Sequence, residues 1–164
     1  MRRLIRLGLF SLVIIFCVAA AIGLLLPGHI LVSRATDVQA PVRRFRPFVT
    51  DIRAWPSWME GLSASSIQLH PGTDTLVGPM QVSVQSVSDS SMVTIWTSKN
   101  GSRQIATFRW IPSADSATTI VQWQFEENLH WYPWERLGSM MNDKILGTMM
   151  EKNLQKLKIL AEAH

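Results

Sequence analysis

"ERLGSMMNDKILGTMMEKNLQKLKILAE", residues Glu135–Glu162, is the stretch whose reading decides the fold. Its apolar residues recur with a helical period along nearly the whole length. Leu137, Met141, Ile145, Thr148 and Met149 make one stripe, and Leu146, Met150, Leu154, Leu157 and Leu160 extend it. Lys152, Lys156 and Lys158 come late, where positive charge suits the helix dipole. Gly138 and Gly147 interrupt the helix, each at about 1 kcal/mol relative to Ala. Close approach of the backbone to a sheet or a ligand would offset that cost. A long helix with an apolar stripe needs a surface to cover.

The preceding segments supply one. Met80, Val82 and Val84 alternate with Gln81, Ser83 and Gln85. The next strand, Met92 to Thr97, is two-sided, with Val93 and Ile95 opposite Met92 and Trp96. Asn100-Gly101 is a hairpin signal. Beyond it Ala106, Phe108 and Trp110 share one face and Thr107 and Arg109 the other. After a turn over Pro112 to Ser116, Val121, Trp123 and Phe125 alternate with Gln122, Gln124 and Glu126. This is an antiparallel meander with one apolar face, its neighbours joined by short loops. Further upstream, a strand is expected from about Ile30 to Asp37. Pro41 stops it and opens a helix carrying Val42, Phe45, Phe48, Val49 and Ile52. Pro47 makes that helix short, kinked or broken, and Asp51 and Pro56 mark its end. Between Gly61 and Pro79 the pattern weakens to one brief strand near Ser66 to Leu69 and a turn at Pro71-Gly72.

The N-terminus reads differently. Leu7 to Leu26 is an uncharged run of twenty residues, about 30 Å as a helix, enough to cross a bilayer core. Arg2, Arg3 and Arg6 precede it, which predicts a single-pass anchor with the body on the periplasmic or extracytoplasmic side. A cleaved signal peptide is the rival, with Ala19-Ala20-Ala21 as small residues for a peptidase, but its apolar core is usually shorter. Pro27-Gly28 ends the run, so residues 1–28 read as an anchor and 29–164 as one domain. Cys17, the single cysteine, lies in the anchor, so the body has neither disulfide nor thiolate chemistry. Without the three leading arginines the chain has 13 basic against 12 acidic residues. That excludes the broad basic footprint of a nucleic-acid binder. Only Arg43, Arg44 and Arg46 cluster, as a solvated helix face or a contact for anionic headgroups.

The order of these elements resembles the SRPBCC or START-like superfamily, particularly its polyketide cyclase/dehydrase-like branch. The resemblance is carried by "ILVSRATDVQAP" ending at Pro41, by Phe45 and "DIRAWPSWM" (Asp51–Met59), by "TTIVQWQFE" and by the closing helix with Gly147, Glu151 and Leu154–Leu157. It covers roughly residues 29 to 162 and breaks between Met59 and Pro79, where the family's "GxGxxxxW" strand pair is missing. The resemblance implies an α+β helix-grip fold: an antiparallel sheet wrapped around a long C-terminal helix, here preceded by one transmembrane helix. It also implies an apolar cavity between sheet and helix for a lipid, sterol, hormone or polyketide intermediate. Its lining would fall on Trp96, Phe108, Trp110, Trp123, Met141, Ile145 and Met149.

Trp55 and Trp58 flank a Pro-Ser pair and read as a core plug and a rim or lid residue respectively. Trp55 therefore joins the cavity candidates. A further reading groups both with Trp131, Tyr132 and Trp134 in a belt against lipid headgroups. The paired methionines Met140-Met141 and Met149-Met150 fill irregular space or adapt to varied ligands. His29, His70, His130 and His164 share no short spacing, so no metal is expected, and no cofactor either. No carboxylate or imidazole is expected on the inward face, which leaves Arg109 and Tyr132 as the polar assistants of any chemistry. Three functions follow. The first is a membrane-tethered domain that binds a hydrophobic small molecule or lipid without catalysis. The second is a cyclase-type enzyme that folds a polyketide chain. The third is a non-binding structural or interaction module.

Overall fold

In a computed structural model of the chain, the residues described are 2–69, 74–99, 101–114, 117–130 and 132–163. The expected turns at Pro71-Gly72, Asn100 and Asp115-Ser116 lie outside them, as do His70, Trp131, His164 and the Leu137 side chain. Helix α1 (Arg2–Leu25) comes first, followed by strand β1 (His29–Val38), helix α2 (Val42–Thr50) and a 3-10 turn over Ile52–Ser57. After a second short 3-10 turn come β2 (Ile67–Leu69), β3 (Asp74–Val77), β4 (Met80–Val87), β5 (Ser91–Ser98), β6 (Arg103–Pro112) and β7 (Thr119–Asn128). Helix α3 (Pro133–Ala163) closes the chain.

The seven strands form one antiparallel sheet in the order β1-β7-β6-β5-β4-β3-β2. This is the helix-grip arrangement. β3 is a strand that sequence pattern does not announce, because it is four residues long and faces a three-residue partner. The weak region before Pro79 is thus a short edge of the sheet rather than a gap in it. A register shift between Val84 and Ser86 bulges β4 and bends the sheet.

Alternation decides the two faces. Val32, Phe125, Ala106 and Thr94 stand in one cross-strand row, and Trp123, Phe108 and Met92 in the next. All seven are buried, and they face α3. From α3 the buried side chains are Met150, Asn153, Leu154, Leu157 and Ala161, one stripe of the helix.

Arg34 lies on the same face of β1 and reaches α3. Its Nε donates to Glu151 at 2.7 Å and its Nη2 to Asp143 at 3.2 Å. The hydrogen bond that Arg34 donates to Glu151 chiefly, with the charge of Asp143, holds the guanidinium above its ordinary range against the opposing effect of burial. Gly147 is the notch that admits it, since a Cβ there would overlap the guanidinium. Gly138, by contrast, has nothing within 4 Å of such a Cβ.

α1 is a helix long and apolar enough to cross a membrane, from Ile5 to Leu25, and almost none of it is covered by the rest of the chain. Its end is tied to the domain. Gly23 packs on Pro133, with the Pro133 Cα 2.9 Å from where a Cβ would sit. Arg136 Nη1 donates to the carbonyls of Gly23 and Leu26 at 3.1 and 2.9 Å. The Gly23 carbonyl, in the last turn of α1, also accepts from the Leu26 amide at 3.2 Å, so Arg136 adds a second donor where the helix has no further turn to supply one. The Arg43–Arg46 cluster sits in α2, beyond the other end of β1, about 30 Å of strand away.

Candidate binding site between the sheet and α3

The layer between sheet and α3 is built from aromatic rings, and the segment after α2 supplies two of them. Pro47 lies inside α2, and the helix ends after Thr50 with its last carbonyls in need of donors. The indole N–H groups provide them. Trp55 Nε1 donates to the Val49 carbonyl at 2.9 Å and Trp58 Nε1 to the Phe48 carbonyl at 2.8 Å. The Asp51 side chain accepts from the Arg53 amide and starts the 3-10 turn that folds both rings back over the sheet. Trp58 is fully buried, not a rim residue. A tryptophan next to a helix breaker here acts as the C-terminal cap of the helix it follows.

The rings then touch in series. Trp55 stacks on Trp96 at 5.5 Å and meets Trp58 edge-on at 6.5 Å. Trp58 meets Phe108 at 5.9 Å and Trp123 at 5.7 Å, both edge-on. Phe108 and Trp123 stack at 4.7 Å, and Phe125 lies 5.2 Å from Trp123. Trp110 contacts Phe45 of α2. Trp55, Phe108, Trp110 and Trp123 are buried, and Trp96 is half-buried. The structure therefore joins Trp55, Trp96, Phe108 and Trp123 in one series of ring contacts and buries Trp110 on the same face of β6, against Phe45.

It separates the helix candidates from them. Met141, Ile145 and Met149 are 63%, 65% and 37% exposed and face away from the sheet. The reason is the phase of α3: the sheet takes the Met150–Leu154–Leu157–Ala161 stripe and leaves the other one outside. Arg109 is exposed on the outer face of β6, paired with Gln122 and Ser91. Tyr132 stacks on Trp134 at 5.0 Å near the α1–α3 junction. Neither lies in the aromatic layer.

Polar groups decide what this layer can hold. Trp96 Nε1 donates to Thr94 Oγ1 at 3.0 Å, and Trp110 Nε1 to the Asp89 carbonyl. With the caps of α2, that accounts for four of the five interior indoles. The fifth does not match them: Trp123 Nε1 is buried and has no acceptor among the described residues. Asn153 Nδ2 is the other buried side-chain donor in this condition among the described residues. Both groups adjoin the Trp58–Glu60 segment. Trp123 does so through the Trp58 ring, and Asn153 through its Oδ1, which accepts from the Glu60 amide at 2.8 Å.

The sequence reading passed over three of these residues. Asn153 sits on the buried stripe between Met150 and Leu157, a position that marks it as interior. Glu127 continues the parity of Trp123 and Phe125, so a carboxylate does stand on the inner face, at its edge. There it accepts from Ser102 Oγ at 2.7 Å and Gln104 Nε2 at 2.9 Å. Arg34 shares the parity of Val32 and Val38.

The sequence profile of the family described as polyketide cyclase / dehydrase and lipid transport matches residues 29–162. The chain belongs to this family. Among solved structures it is similar to a START superfamily protein from Mycobacterium smegmatis, at 17% identity and a TM-score of 0.65, covering 83% of this chain and 99% of that one. A protein from Nitrosospira multiformis matches at 14% identity and a TM-score of 0.63, over 79% and 94% of the two chains. The di-domain ARO/CYC protein BexL matches at 12% identity and 0.63, and the alignment spans 51% of its length. At these identities the likeness shows the fold. No curated protein matches the sequence. In this chain the layer between sheet and α3 is occupied by rings in mutual contact, with two buried side-chain donors that have no partner among the described residues.

Proposed function

We propose that this member of the family is a membrane-tethered binder of a hydrophobic small molecule or lipid. Residues 1–28 form its single-pass anchor, and residues 29–164 form the binding domain on the extracytoplasmic side. The ligand is apolar over most of its surface and carries at least one hydrogen-bond-accepting oxygen, such as the carbonyl or carboxyl of an acyl chain. The reading rests on the buried N–H groups of Trp123 and Asn153, which find no acceptor among the described residues. A buried donor left unmatched costs about 1–3 kcal/mol. Phe at 123 would remove that cost at the indole and still leave a ring in the layer, whereas Asn153 is also held by the Glu60 amide that its Oδ1 accepts. Retaining the indole and the amide makes sense where an oxygen from outside the chain meets them. The apolar walls fit the rest of the ligand: Phe108, Phe125, Trp96 and Met150 have no charge to desolvate.

Admission of a ligand requires the Trp55–Glu60 segment to move, because its rings occupy the layer. This reading assigns no acid–base step, since Arg109 and Tyr132 stand outside the layer.

The unbroken series of ring contacts favours a second reading, an interaction module whose interior is filled. Titration of detergent-purified, delipidated full-length protein with a dansyl-labelled fatty acid separates the two. Saturable energy transfer from tryptophan, weakened several-fold by Trp123→Phe, supports binding. No uptake by a protein that retains its near-UV dichroism supports the filled module.

A further inference from the structure

The outward stripe of α3 has its own surroundings. Trp134, Met141, Ile145 and Met149 recur at spacings of seven, four and four, so they share one face of the helix. Their exposures are 62%, 63%, 65% and 37%, whereas the other large apolar side chains described in α3, apart from Ile159 at 58%, are buried or half-buried. From Trp134 to Ile145 the stripe is about 16 Å long. It starts where α1 ends: Pro133 touches Gly23, and Arg136 binds the carbonyls of Gly23 and Leu26. Gly23 is in the last turn of the apolar helix, at the level where a spanning helix leaves hydrocarbon for headgroups. Trp134 is one residue from that contact and is stacked on Tyr132. Trp and Tyr favour this level of a bilayer, where the ring sits in the interface and the polar edge in water. Lys152 and Lys156 continue the same face past Met149, both exposed, and suit phosphate headgroups.

We infer that the Trp134–Met141–Ile145 face of α3 is a membrane seat: it lies in the interface of the bilayer that α1 crosses, so that anchor and domain approach the lipid as one unit. The inference rests on α1 being embedded, as the proposed function has it. The seat differs from a flexible tether in a way that matters for that function. It fixes the height and tilt of the domain over the lipid surface. It also turns towards the lipid an open groove of about 1030 Å³ next to Trp134, which His29, Ile105, Glu126, His130 and Gly138 help to line.

The test uses full-length protein in vesicles of phosphatidylcholine and phosphatidylglycerol, with an NBD label on one cysteine at a time. Cys17 itself reports on α1. In a Cys17→Ser background, Met141→Cys and Ile145→Cys report on the seat, and Ile111→Cys is the control. Ile111 is an equally exposed apolar residue, 56%, at the far end of the sheet. The inference expects probes at 141 and 145 to be quenched by lipids carrying a nitroxide near the headgroup and shielded from iodide, several-fold relative to 111. Lipid quenching at Cys17 with 141 and 145 as iodide-accessible as 111 overturns the seat and leaves the anchor standing. Absence of lipid quenching at Cys17 as well overturns both. A disulfide-linked dimer through Met141→Cys without lipid quenching assigns the face to a second copy of the chain and overturns the inference.

Discussion

The two halves of α3 are built from similar residues and meet opposite fates. In the C-terminal half Met150, Leu154, Leu157 and Ala161 are buried against the sheet. In the N-terminal half Met141 and Ile145 stand in the open. Both stripes have a helical period. What distinguishes them is the partner each finds: the sheet for one, and for the other only the end of α1. Periodicity identifies a face that must be covered, but it does not name the cover.

The largest expected effect breaks the comparison on the buried side. Leu154→Ala should cost about 2–5 kcal/mol, the range for a large-to-small change in a packed core. Trp58→Ala should cost about 3–5 kcal/mol, since it empties the centre of the ring cluster and strips the cap from the Phe48 carbonyl. On the exposed side, Met141→Ala and Ile145→Ala should stay within about 0.5 kcal/mol. Urea unfolding of the full-length protein in detergent, followed by tryptophan emission, compares the four. Equal losses on the two sides would mean that Met141 and Ile145 are packed against the domain after all.

The glycines sharpen the same contrast at smaller magnitude. In the sequence Gly138 and Gly147 look alike, both inside one helix, and both read as places of close approach. Only Gly147 is one, with the Arg34 guanidinium in its notch. Gly138→Ala should therefore stabilise the protein by up to about 1 kcal/mol through helix propensity alone. Gly147→Ala should destabilise it despite the same gain, because Arg34 must give up its place between Asp143 and Glu151. Thermal unfolding midpoints of the two variants should move in opposite directions. Movement in the same direction would remove the notch from the account.

Much of this architecture was legible in the sequence. Strict alternation over residues 119–128 and 103–112 set which side chains face α3, and the helix-grip order followed from the run of elements. The candidate site was half legible. Four of the five aromatic residues were legible because parity on a strand is unambiguous: Trp123 cannot face outward if Val121 and Phe125 face inward. Trp55, in a 3-10 turn, was legible only as a bulky ring beside a helix breaker. The helical residues were missed because α3 carries two apolar stripes, and a wheel does not say which one the sheet selects. Tertiary contact chose the stripe that includes Asn153, a polar residue that a hydrophobicity argument passes over. Trp58 reads from sequence as a rim or lid residue, because nothing local shows that its N–H is what closes the end of α2.

The smallest effect tests the point on which the binding proposal turns. Trp55 and Trp123 are both buried indoles in the same layer, and Phe is a conservative replacement for each. Trp55→Phe deletes a donor that is matched by the Val49 carbonyl, so it should cost about 1 kcal/mol for the hydrogen bond, on top of the lost ring area. Trp123→Phe deletes a donor that meets no acceptor among the described residues, so the loss of ring area is offset by the removal of an unmatched polar group. In delipidated protein the second change should therefore be close to neutral, and clearly milder than the first, by urea unfolding. With a bound acyl ligand the order should narrow or reverse, because Trp123 then has an oxygen to hold and a chain that keeps it gains more stability from the complex than Trp123→Phe does. If Trp123→Phe is as harmful as Trp55→Phe in the delipidated state, its N–H is already satisfied within the protein, and the observation on which the ligand reading rests is gone.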